Sequence, residues 1–224
     1  QLRLLKTYSK SSTDLPNGIF LTHAHIGHYT GLMYLGKEAM NAKQLPVYAM
    51  TKMKSFLEQN GPWSQLVSQE NILIQPLTNN QAITLTDSLS VTPLLVPHRD
   101  EYSETVGYLI SGPRKKLLFI PDIDKWEKWS QNINTLIKEV DYALIDATFF
   151  DAAEINNRPI NEIPHPFVIE SMERFKLMPL KEKQKIHFIH FNHTNPLLNI
   201  NSEASEQILK AGFKIAKQGL KFEL

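Results

Sequence analysis

The chain has 224 residues, 42% of them hydrophobic, with Lys+Arg 24 against Asp+Glu 23 and a sequence pI of about 8.1. That length can bury one sizeable core and predicts a single domain over 1–224, while the even charge balance excludes the overall basic footprint of a nucleic-acid binder. Cysteine is absent, so any metal must be held by histidine and carboxylates, and since oxidising compartments permit disulfides without requiring them, cytoplasm and periplasm both stay open. No apolar run approaches the roughly 20 residues that cross a bilayer, and no leader pattern precedes the first polar residues. A soluble chain is expected, whether or not a longer precursor carried a leader.

In chain order, QLRLLKTYSKSSTDLPNG reads as a short amphipathic piece and a turn-rich linker, and GIFLTH as a short buried strand ending at histidines. From Tyr29 to Ala42 the pattern YTGLMYLGKEAMNA predicts a helix with Leu32, Leu35 and Met40 on its apolar face. LPVYAM is a strand; TKMKSFLEQNGPW, with Thr51 in N-cap position and a stop at Gly61-Pro62, predicts a helix. ENILIQPL, QAITLTDSLSVTPLLVPH, ETVGYLISG and KKLLFIPD are β-rich, bounded by Asn, Gly, Pro or Asp, and are expected to form a meander. Then come a helical stretch over Asp124 to Val140, the strand YALIDATF, a polar loop to Pro164 and a helix from Phe167 to Leu177. KEKQK near Lys181 reads as a solvated turn, IHFIHFN as a strand and Ser202 to Gly212 as a helix. Strand blocks interrupted by helices indicate a layered α/β or α+β domain. The segments Asn60 to Gln75 and Ala152 to Pro164 carry no readable specificity motif, and Trp63 after Gly61-Pro62 either lines a pocket or pins a loop, the latter being the commoner role.

The polar clusters stand just past the C-terminal ends of predicted strands, where loops converge on a rigid frame. His23, His25 and His28 follow GIFLT, His98 follows VTPLLVP, Asp122 follows KLLFIP, Asp146 ends YALI, and His190 ends IHFI with His193 just beyond. Zinc and similar ions take imidazole nitrogen and carboxylate oxygen, and alternation along an extended segment aims His23 and His25 the same way. Taken alone, His98 or His187 would be an ordinary hydrogen-bonded histidine and Asp122 an ordinary turn or helix cap. Their joint placement at strand ends, with three histidines in one short segment, exceeds what structure alone requires and points to metal. His187 stays structural, because alternation in IHFIH points it away from His190.

THAHIGH resembles the H-x-H-x-D-H signature of the metallo-β-lactamase fold, and the later motifs follow that superfamily's order over essentially the whole chain. The likeness is strongest to the branch of long-form ribonuclease Z and cyclic phosphodiesterases. PHRDEYSETVGYLI resembles its histidine before a Gly-Tyr strand, LIDATFF its Glu-Ala-Thr-Phe strand, PHPFVIESM its His-led loop into a helix, and FIHFNHTNP its final metal histidine. HYTGLMYLG and the Thr-Asn-Pro segment also resemble protein B of pyrroloquinoline quinone biosynthesis. The resemblance implies a four-layer αββα sandwich. It assigns one metal to His23, His25 and His98 and a second to His28 and His190, with Asp122 bridging. The departure is Gly27, where the family has an aspartate that ligates the second metal and orients the nucleophilic water. Glycine supplies neither oxygen nor charge, so either water fills the gap, another carboxylate reaches in, or one metal alone binds well. Asp146, then Glu101 or Glu104, are the candidate substitutes.

The activity so implied is metal-dependent hydrolysis of a small-molecule phosphodiester or other ester by a metal-held hydroxide, with one or two zinc ions, or manganese or iron, as cofactor. By the same resemblance His165 is the first choice to protonate the leaving group and His193 the second, unless His165 merely packs in its Pro-rich loop or His193 orients a ligand. Arg99 and Tyr102 read as ordinary loop residues. Two other functions are weighed: an iron-dependent oxygenase, from the pyrroloquinoline quinone likeness, and a non-catalytic ligand-binding member, prompted by Gly27. No basic arm of the kind that grips RNA is present. Members of this fold usually run through several strands before the first histidine motif. The chain is therefore expected to be an N-terminally truncated fragment, its exposed sheet covered by a partner chain, as in a homodimer.

Overall fold

The computed structural model describes residues 4, 7–9, 12–155 and 159–224. Most of the amphipathic N-terminal piece, and part of the polar loop before Pro164, lie outside the described residues. The chain divides into two compact units, one of residues 1–81 with 100–106, the other of residues 82–99 with 107–224.

The first unit is built on three parallel strands, β1 (Ile19–Phe20), β2 (Leu45–Ala49) and β3 (Ile72–Pro76), with β2 in the middle. Parallel neighbours need a crossover. The first runs through α1 (Ile26–Tyr29) and a 3-10 turn over Thr30–Leu35, the second through α2 (Thr51–Gln59) and α3 (Trp63–Ser68). In β2 Leu45, Val47 and Ala49 are buried and alternate with half-buried Pro46 and Tyr48, so one face of the strand feeds a core shared with Leu35, Met53, Leu57 and Ile72.

The expected helix over Tyr29 to Ala42 is thus replaced by a short helical turn and a 3-10 turn. Gly31 and Gly36 lie inside that window, each weakening a helix by up to about 1 kcal/mol relative to alanine, and Gly36 ends the turn in extended backbone. Thr51 is the first helical residue of α2 rather than its N-cap, which is Met50. The orphan N–H groups are met from a distance: the Glu104 carboxylate accepts from Lys52 N at 2.9 Å and Met53 N at 3.3 Å. Trp63 opens α3 and packs edge-on against Tyr29 at 4.9 Å, and it also lines a cavity with Met33 and Leu66.

The second unit carries a seven-stranded sheet in the order β10-β9-β8-β7-β6-β5-β4. Its strands are β4 (Ile83–Thr86), β5 (Leu89–Leu95), β6 (Val106–Ser111), β7 (Lys116–Ile120), β8 (Tyr142–Asp146), β9 (Ile186–Ile189) and β10 (Lys214–Ile215). The meander is therefore shorter than expected, because ENILIQPL supplies β3 of the other sheet. Between β7 and β8 the helical stretch breaks into a 3-10 turn, Trp126–Lys128, and α4 (Ile133–Glu139), which Asn132 caps by accepting from Asn134 N. Helix α5 (Val168–Phe175) begins where Glu170 accepts the Phe167 N–H at 2.8 Å. The KEKQK segment is helical in part, as α6 (Leu180–Lys183), and Glu182 is buried against Lys185 at 2.7 Å rather than solvated. Helix α7 (Glu203–Lys210) starts at Ser202, whose side chain accepts from Ser205 N. Leu118, Ile120, Ile137, Ile145, Phe175 and Phe188 anchor the core.

Strands β7, β8 and β9 run parallel, with Ile120 opposite Ile145 and Asp146 opposite Ile189. Their C-terminal ends finish nearly level, so Asp122, Asp146 and His190 emerge at one edge of the sheet, where parallel sheets place ligands. Among the described residues no helix is long and apolar enough to cross a membrane.

Candidate metal centre

In the first unit the chain leaves β1 in extended form, and His25 is still extended before α1. His23 is buried, while His25 and His28 are half-buried. His23 Nε2 faces His25 Nδ1 at 2.9 Å, and the His23 and His28 rings lie 4.3 Å apart. The far side of His25 is held by Glu101, whose Oε2 is 3.0 Å from Nε2. A carboxylate only accepts, so it fixes the proton of a neutral His25 on Nε2 and leaves Nδ1 as a lone pair turned toward His23. The same loop props the segment from behind: Ser103 Oγ accepts from Ala24 N at 2.8 Å. Glu101 thus acts on a histidine, and Glu104 is committed to the start of α2.

In the second unit His98, Asp122, Asp146, His165 and His190 form one network. The His98 side chain is wholly shielded from solvent, its Nε2 3.3 Å from Asp122 Oδ1. His165 Nδ1 lies 2.8 Å from Asp146 Oδ2 and 3.2 Å from Asp122 Oδ1. Asp146 is fully buried and saturated, accepting from Ile123 N at 3.2 Å, Thr148 N at 2.9 Å and Thr148 Oγ1 at 2.6 Å. His190 follows β9 with a positive φ of 64°, a strained setting for a non-glycine residue that recurs at functional sites. His193 is exposed, its Nδ1 3.2 Å from Asn192 Oδ1. His187 is buried and donates to the Lys185 carbonyl at 2.9 Å, as its structural reading requires.

Burial alone would depress His165, but the Asp146 charge beside it and the hydrogen bonds its Nδ1–H donates to both carboxylates push it up to about 10. Asp146 is moved the other way: burial raises it, and the His165 charge and hydrogen bond outweigh that, holding it below the usual carboxylate range. Burial likewise lowers His190, and Asp146 more than restores it. These shifts describe a metal-free network that attracts positive charge.

The donor set fits a divalent ion. It consists of imidazole nitrogens and carboxylate oxygens, the ligands of zinc, manganese and iron. In the first unit two ring nitrogens converge at 2.9 Å, and in the second His98 Nε2 stands 3.3 Å from Asp122 Oδ1. Two contributors escaped the sequence reading, Thr148 and the hold of Glu101 on His25. Thr148 stands two residues past Asp146 in LIDATFF, the segment that resembles the Glu-Ala-Thr-Phe strand, but nothing in the sequence gave it a partner.

A model of the beta-lactamase superfamily domain matches residues 2–191. Coenzyme PQQ synthesis protein B of Nitrosococcus oceani is 26% identical, covering 91% of this chain and 72% of its own length. The protein of that name from Pseudomonas savastanoi is 24% identical over 93% of this chain and 73% of its own. Among solved structures, Zn(2+)-bound PqqB from Methylobacterium extorquens is similar with a TM-score of 0.74 at 20% identity, over 93% of this chain and 73% of that one. A diphosphatase from the PhnP family gives a TM-score of 0.61 at 21% identity, over 93% of this chain and 71% of that one.

Proposed function

Since the chain belongs to the metallo-β-lactamase superfamily and has its mixed α/β sandwich fold, we propose that it is a metal-dependent hydrolase of a phosphodiester or other ester. The observation that carries this reading is the convergence of imidazoles and carboxylates within each unit: His23 Nε2 and His25 Nδ1 are 2.9 Å apart in the first, and Asp122 Oδ1 lies 3.3 Å from His98 and 3.2 Å from His165 in the second. The ligands are His23, His25 and His28 in the first unit and His98, Asp122 and His190 in the second. Zinc is the first choice, because a relative of similar fold is described as zinc-bound. When bound, such an ion acidifies water and polarises a phosphoryl or carbonyl oxygen.

The chain's own residues complete the reaction. With Nδ1 turned to Asp146 and Asp122, His165 keeps Nε2 for the leaving oxygen. Water adds to phosphorus or carbon and releases one proton to solvent, the bond to the leaving oxygen breaks, and His165 Nε2–H protonates that oxygen and is reprotonated from solvent. Asp146 neutralises the imidazolium, and Thr148 and the Ile123 N–H hold Asp146 in turn. The test is hydrolysis of small phosphodiesters and esters without dioxygen. Turnover should vanish on chelation and return with zinc; turnover that needs dioxygen would sink the hydrolase.

A second reading rests on the coenzyme PQQ synthesis relatives: an iron-dependent oxygenase in cofactor biosynthesis using the same ligands. Position 27 bears on metal number in either case. A Cβ built on Gly27 meets no heavy atom within 4 Å, so aspartate can enter without displacing a neighbour. Gly27→Asp is expected to keep the melting temperature and tighten the weaker of two zinc-binding steps by about tenfold or more, read by competition with a chromophoric chelator. An unchanged isotherm would remove position 27 from the metal site.

A further inference from the structure

We infer that Thr148 is a positioning residue whose hydroxyl sets the tautomer of His190 and so turns that ring's Nε2 lone pair outward for metal. This rests on the reading of His190 as a metal ligand. Thr148 stands just past β8, and its Oγ1 lies 2.6 Å from Asp146 Oδ1, 2.9 Å from His190 Nδ1 and 3.2 Å from His165 Nδ1. A hydroxyl has one proton to donate and two lone pairs to accept with. The carboxylate accepts only, and its contact is the shortest, so the hydroxyl proton points at Asp146. Toward both rings Thr148 therefore accepts, and each ring presents Nδ1–H.

For His165 this adds little, because Asp146 Oδ2 at 2.8 Å already demands a proton on Nδ1. For His190 it is the nearer hold on Nδ1: the Thr148 hydroxyl stands at 2.9 Å and the Asp146 oxygen at 3.6 Å, the latter beyond a good hydrogen bond. A neutral imidazole with its proton on Nδ1 has its lone pair on Nε2, the form a metal takes. Asp146 thereby acts on His190 through Thr148, while gripping His165 directly.

The test is the metal-free protein at a pH that leaves the imidazole neutral. Long-range nitrogen–proton spectra are expected to show His190 in the Nδ1–H form in the wild type and in Thr148→Ser, and a mixture or the other tautomer in Thr148→Val, which keeps the side-chain shape and loses the hydroxyl. Zinc affinity by chelator competition should fall about 10–100-fold in Thr148→Val and recover in Thr148→Ser. An Nε2–H form in the wild type, or equal zinc affinity in all three proteins, would overturn the assignment. A wild type with the expected tautomer that takes up no zinc would instead overturn the metal reading of His190 and leave the hydrogen-bond logic standing.

Discussion

Replacing Asp122 by alanine is expected to strip the protein of most of its metal and its activity while the fold survives. Asp122 lies beyond β7, so no strand pairing depends on it, yet its carboxylate is buried against His98 at 3.3 Å and His165 at 3.2 Å. Among the proposed ligands, which are otherwise imidazoles, it supplies the charge that would oppose the cation. Outer partners of a metal site commonly carry 10–100-fold in affinity, and the loss of a proposed direct ligand should exceed about 100-fold. Losing the two histidine contacts should cost about 2 kcal/mol, or roughly 4–8 °C in melting temperature for a domain of this size. Elemental analysis and thermal unfolding read the two effects separately. Full metal content in Asp122→Ala would mean the ligand set is wrong.

The second large effect is expected from His165→Gln, which should keep its metal and lose about 10²–10⁴ in turnover. Glutamine keeps a polar group near Asp146 but cannot deliver a proton. The loss should therefore depend on the leaving group: severe for an alkoxide, slight for a nitrophenolate, which departs without protonation. A loss of the same size for both substrates would return His165 to a structural role, as would no loss at all.

Much of this candidate centre was legible because strands announce themselves by composition and turn residues, and its proposed ligands sit where strands stop. His98, Asp122 and His190 could be placed without knowing any pairing. Helices were less legible. The window over Tyr29 to Ala42 has an apolar stripe, yet Gly31 and Gly36 divide it, and Glu182 looks like part of a charged turn until its pairing with Lys185 is seen. Contacts between distant segments left no local trace. The N-terminus of α2 is satisfied by Glu104, far along the chain, so Thr51 gave a false N-cap. Glu101 and Thr148 act on ligand histidines through hydrogen bonds that only the folded loops create. His165 was visible through family resemblance alone; its local sequence, a Pro-rich loop before a helix, is equally that of a packing residue.

Hydrolysis by this chain, as proposed, requires a bound divalent metal. The most direct test is metal per chain by elemental analysis of protein purified without added metal, with a parallel sample handled without air to protect ferrous iron. One to two zinc ions per chain are predicted. Iron as the dominant metal would contradict the account in favour of the oxygenase, and a chain that takes up no metal in either sample would contradict both.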